Sequence, residues 1–132
     1  MAKLKHPIRE AERYLENARQ LLSEKAEKDG DYYTHRKYVR KAGRIAWDGV
    51  LIALDAVLKV KDTFTKGQLP DIKDYEEAIE KVDIKMPRIL KNSYYTLNTM
   101  LGYDGILHYG IVQAALEEAQ NMISWADKHY QN

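Results

Sequence analysis

A chain of 132 residues, 45% of them hydrophobic, suits one domain spanning residues 1–132. It contains no cysteine, which excludes a disulfide framework, thiolate chemistry and zinc–thiolate sites. A net charge of +1 argues against a strongly basic nucleic-acid protein.

The charge is unevenly spread. Residues 1–44 hold 12 Lys/Arg against 7 Asp/Glu, while residues 45–132 hold 9 against 13. No apolar targeting segment follows the opening MAKLKHP. The longest apolar run, 45–58, is short for a membrane span and is broken by Asp48 and Asp55. A cytoplasmic protein without a membrane segment is the expectation.

The first helix is expected over about 7–28. Pro7 suits a first helical position, where its missing N–H has no partner to lose. Ile8, Ala11, Leu15, Ala18 and Leu22 recur at spacings of three and four, one face of a helix. Gly30 then suits a left-handed cap and Asp31 the next N-cap.

The second helix is expected over about 32–61, roughly 45 Å long. It is the least polar long segment and reads as the buried central strut of a bundle. Ala42, Ala46, Gly49, Ala53 and Ala56 form a small-residue stripe that admits a neighbour closely. Asp48 and Asp55 share a face. Arg44 stands four before the first and Lys59 four after the second, as candidate ion-pair partners.

Gly67 and Pro70 punctuate a connection over 62–70. A short helix follows over about 71–82, with Asp71 or Asp74 near its start. A fourth is expected from Pro87 to about Leu101, carrying Leu90, Tyr94 and Leu97. After a break at Gly102-Tyr103-Asp104-Gly105, the last helix is expected over about 105–130, with Asp104 as its cap. No segment alternates like a strand. The fold class is therefore all-α, an up-and-down antiparallel bundle of four main helices and one short one.

Three kinds of chemistry can be weighed. Di-iron bundles need Glu-x-x-His pairs, and none of the four histidines has one; Asp104 and His108, four apart, are the nearest approach to a metal pair. No metal or other cofactor is expected. Serine nucleophile elbows and phosphate-binding glycine loops are missing from the sequence. The remaining feature is a basic start to the second helix. Arg36, Arg40 and Arg44 share a face there, Lys37 and Lys41 lie between, and Tyr32, Tyr33 and Tyr38 are interleaved. Such a mixture can hold phosphate and stack on bases. The plainer alternative pairs these cations with Glu24, Glu27, Asp29 and Asp31.

The order of features resembles the HEPN superfamily of helical domains. The resemblance rests on Tyr14-Leu15-x-x-Ala18 in the opening helix, the long alanine-rich second helix, and His108-Tyr109-Gly110 at the start of the last helix. The chain is also similar to a small uncharacterised family from Bacteroidetes-type bacteria. The resemblance implies a bundle fold and a homodimer. Many HEPN proteins are metal-independent ribonucleases with Arg, four to six residues, then His. His108 could match the histidine, but Leu101, Gly102 and Tyr103 stand where the arginine belongs. A fixed cation for the phosphoryl transition state is thus missing.

The function expected is a non-catalytic binding or interaction module, with a protein partner or RNA at the basic start of helix two. The alternative is a ribonuclease or nucleotide-directed enzyme using His108 and an arginine from elsewhere, such as Arg88. Tyr94, Tyr95, Tyr103, Asp104 and Tyr109 are expected to gather near His108, and with Arg36, Arg40 and Arg44 they form the candidate binding set.

Overall fold

Proline at the first turn opens α1, Pro7–Leu21, whose Ile8, Ala11, Leu15 and Ala18 are buried as the spacing requires. The protein is seen here in a computed structural model that describes residues 6–65 and 67–130. Residues 1–5 and 131–132, the ends of the expected 1–132 domain, and Lys66 in the expected connection lie outside the described residues.

The first helix stops short of residue 28. It widens into a π-helical turn over Leu22–Ala26, and Glu27 turns out with φ of 49°. Its last carbonyls serve another segment: Thr34 and His35 donate their N–H groups to Ala26 O at 3.1 Å, and Thr34 Oγ1 donates to Glu27 O at 3.0 Å. Between them lies an unforeseen hairpin. Strand β1, Lys28–Asp29, pairs antiparallel with β2, Tyr32–Tyr33, across Gly30 at φ 61°. Tyr32 faces solvent and Tyr33 is buried, the alternation a strand imposes.

Helix α2, Arg36–Leu58, therefore starts four residues later than expected, and His35 rather than Asp31 precedes it. It occupies the central position, packing on α1 along one side. The small-residue stripe makes this possible. A Cβ at Gly49 would sit 3.0 Å from Ala11 O and from Tyr14 Cβ, so the two backbones approach where a side chain is missing. The helix ends as Lys59 enters the left-handed region at φ 54°.

The expected Asp48–Arg44 and Asp55–Lys59 pairs do not form. Lys59 has already left the helical path, and Asp55 instead meets Lys61 Nζ at 3.6 Å and accepts the Tyr75 hydroxyl at 2.9 Å. Burial pushes the Asp48 carboxyl up, and Lys61 pulls it back only in part.

A short 3₁₀ turn, Lys61–Thr63, leads on to α3, Ile72–Glu80. Asp71 and Asp74 cap α3 reciprocally: Asp74 N–H donates to Asp71 Oδ1 at 3.2 Å and Asp71 N–H to Asp74 Oδ2 at 2.8 Å. Helix α4, Met86–Tyr94, carries Pro87 in its first turn and runs into a π-helical segment, Tyr95–Leu101. Helix α5, Tyr109–His129, completes the bundle against α2 and α1. The expected all-α up-and-down architecture is the one observed, apart from the small hairpin. Leu15, Leu54, Leu90, Leu97, Leu116 and Ile123 fill the core at about 1.5–3 kcal/mol each.

Candidate functional site

The connection between α4 and α5 lies antiparallel along the hairpin and the first turns of α2. Arg40 Nε donates to Tyr103 O at 3.0 Å. One turn earlier, Arg36 donates to Asp104 O at 3.1 Å and Gly105 O at 3.3 Å. Further on, Tyr33 N–H donates to Leu107 O and Tyr109 N–H to Asp31 O, both at 2.8 Å. As the first sequence rises from 31 to 40, its partner falls from 109 to 103.

Two glycines let the strip sit close. Gly105 has φ 64°, and a Cβ there would fall 2.5 Å from Arg36 Cγ and 2.8 Å from Arg40 Cγ. At Gly43 an added Cβ would meet Leu101 Cβ at 2.5 Å and the Leu97 carbonyl oxygen and Gly102 N at 2.8 Å. The arginines bond carbonyls of the turn that follows the π-helical segment, whose own last carbonyls are met by the N–H groups of residues 102–106.

The basic start of α2 thus has a structural partner that neither sequence expectation supplied. Of the acidic neighbours proposed for it, only Glu27 is engaged, with His35 Nε2 at 3.3 Å. Arg44 packs its stem over Gly102. Lys37 lies over the Tyr38 ring at 5.0 Å, while Lys41 is exposed.

His108 caps α5. Its Nδ1 accepts the N–H of Ile111 at 3.2 Å, in place of the expected Asp104 cap, because the helix begins at Tyr109 rather than Gly105. Its ring meets Tyr32 edge-on at 5.4 Å. Tyr109 packs on Tyr33 at 5.5 Å under Lys28 Nζ, 4.1 Å from the ring centroid. Tyr94 pairs instead with Trp47 at 5.2 Å. Tyr95 and Tyr103 are exposed, as is Asp104.

The histidine end therefore gathers Tyr32, Tyr33 and Tyr109. Gln113, absent from the sequence expectation, joins them by donating from Nε2 to the Tyr33 hydroxyl at 2.9 Å. Its only sequence signal was its place four residues after Tyr109 on one helix face. Burial, reinforced by Tyr109, pushes the Tyr33 phenol up, with the Gln113 bond pulling the other way. Tyr33 thus stays protonated and able to donate. Among the described residues, no group of three or more His, Asp or Glu is placed to hold a metal ion. None of their helices is long and apolar enough to cross a membrane.

A family described as a domain of unknown function, DUF5618, matches residues 6–128. The chain belongs to that family. This DUF5618 domain is similar in structure to a protein of unknown function from Dyadobacter fermentans. The two are 28% identical and align over 96% of this chain and 98% of the other, with a TM-score of 0.83. No curated protein matches it.

Proposed function

We propose that the DUF5618 chain is a non-catalytic binding module, and that the seam of residues 102–109 against residues 31–44 presents its binding surface to single-stranded RNA. The supporting observation is the placement of Tyr103, 74% exposed, on a backbone whose carbonyl is held by Arg40. Tyr32, 55% exposed, stands at the other end of the same seam. Lys37 and Lys41 border it from the exposed side of α2. Exposed aromatic rings beside pre-oriented cations suit bases and phosphates together.

The same geometry favours binding over a His108-dependent ribonuclease. The Nδ1 lone pair of His108 is engaged by the helix cap, and Arg36 and Arg40 are engaged by backbone carbonyls. An acid–base role would require His108 to release its cap. The HEPN-like resemblance adds the expectation of a cytoplasmic homodimer, which sedimentation at rising concentration tests.

Fluorescence anisotropy with a labelled single-stranded RNA oligomer tests the RNA reading. Binding should weaken about tenfold in Tyr103→Ala, given about 1–3 kcal/mol for one aromatic–base stack. Lys41→Gln should weaken it further and reduce its salt dependence. Undetectable binding, or binding equal in all three proteins, would remove the RNA proposal. Capture of an acidic protein through the same residues would then identify the other kind of partner.

A further inference from the structure

Behind the hairpin lies a recess of about 330 Å³, within the range of small-ligand sites. Arg19 from α1, Lys28 from β1, Tyr33 from β2, and Tyr109 and Gln113 from α5 line it. It is separate from the exposed side of the seam: Tyr32 faces solvent, whereas its neighbour Tyr33 turns inward.

The electrostatics of the recess are one-sided. Arg19 and Lys28 both line it, and no acidic residue does. Among the described residues neither cation has a carboxylate within 4.0 Å. Arg19 stands on α1 one turn before the π-helical turn. Lys28 is steadied by the Tyr109 ring. The ring contact places Lys28 but supplies no anionic acceptor to its N–H donors, and Arg19 has none either.

The Tyr33–Gln113 pair adds polar selectivity. Gln113 donates to the phenolic oxygen, so the hydroxyl hydrogen of Tyr33 remains available to another acceptor. Its burial keeps that hydrogen in place at neutral pH. The wall thus offers two cations without a carboxylate partner and one neutral donor beside an aromatic ring.

We propose that this recess binds a small organic anion, with a carboxylate or phosphate head between Arg19 and Lys28 and an apolar body against Tyr109. The two cations compensate the head and the Tyr33 hydroxyl donates to it; because Lys28 is exposed, binding weakens as salt rises.

Calorimetric titration of the full chain at constant ionic strength, with inorganic phosphate and separately with benzoate, tests this. At least one probe should bind saturably at one site per chain. Phosphate alone would assign a phosphate head and benzoate alone a carboxylate head; binding of both supports the shared oxyanion site. Arg19→Gln and Lys28→Gln should each weaken binding about tenfold, the loss expected for one charge-assisted hydrogen bond. Tyr33→Phe, which keeps the ring, should weaken it less. Circular dichroism melts establish that each variant is folded, and the exposed Lys28 carries the test should Arg19→Gln unfold. No saturable binding of either probe, or unchanged binding in folded Lys28→Gln, would overturn the proposal.

Discussion

The Tyr75 hydroxyl donates to Asp55 Oδ2 at 2.9 Å, and so ties α3 to the central helix α2. Burial pushes the Tyr75 phenol far above its usual value of 10.0, with the Asp55 charge and the bond itself adding to the rise. The folded state therefore holds this proton more tightly than the unfolded chain. Stability from that preference is fully present below about pH 10 and is lost as pH rises above it. Urea melts of wild type should show falling stability above that pH, and Tyr75→Phe should flatten the fall. At pH 7 the same variant should lose about 1–2 kcal/mol, because Asp55 Oδ2 loses its hydroxyl donor and Asp55 keeps only its longer contacts with Lys61.

Gly43 provides the closest approach between α2 and the π-helical segment. An alanine there would place its Cβ against backbone atoms of Leu97 and Gly102, which cannot rotate aside. Gly43→Ala should cost about 3 kcal/mol or more, as overpacking against a backbone does. A urea midpoint within error of wild type would contradict this packing.

Ser93 is fully buried, and its hydroxyl makes no hydrogen bond among the described residues. Ser93→Ala should therefore stabilise the fold by about 1 kcal/mol, the desolvation cost of an unmet polar group. Glu118 lies nearby; burial pushes its carboxyl above the usual 4.5, and the Ser93 hydroxyl, which stands outside hydrogen-bond geometry, offsets this only weakly. A raised carboxyl favours the folded state when protonated, so this contribution is present at low pH and lost as pH rises through the folded value. Glu118→Gln, which mimics the protonated form, should raise the melting temperature at pH 7. The gain should vanish below about pH 4, where both states are protonated.

Arg36 donates to both seam carbonyls from one nitrogen, Nη1. Arg36→Ala should lose about 1–2 kcal/mol, and Arg36→Lys, whose ammonium carries three donors, should keep part of it. His108 offers a second test. His108→Asn should keep the α5 cap, whereas His108→Ala should lose about 1 kcal/mol. Thermal melts of the four variants separate these cases.

The helices were legible in sequence where one face repeats at three and four, as in Ile8 to Leu22, and where proline marks a start, as at Pro7 and Pro87. The Asp71 cap was legible because capping is local. The hairpin was not. Two residues per strand leave no alternation to see, and its third partner, residues 107–109, lies more than seventy positions away. The π-helical segments were hidden too: they keep the helical spacing of their apolar residues, and nothing in Leu22–Ala26 or Tyr95–Leu101 announces the wider turn. The basic face at Arg36 and Arg40 was visible, but its carbonyl partners were not, because backbone acceptors leave no mark on side-chain identity. Arg19, Lys28 and Gln113 come from three elements, and only folding makes them neighbours.

One incubation tests the proposal that this chain binds without cutting. Wild type and His108→Ala are mixed with a single-stranded RNA pool in metal-free buffer, and bound fraction and RNA length are read from the same samples. The account predicts saturable, salt-sensitive binding by both proteins, with the RNA recovered at full length. RNA shortened by wild type and left intact by His108→Ala would contradict it.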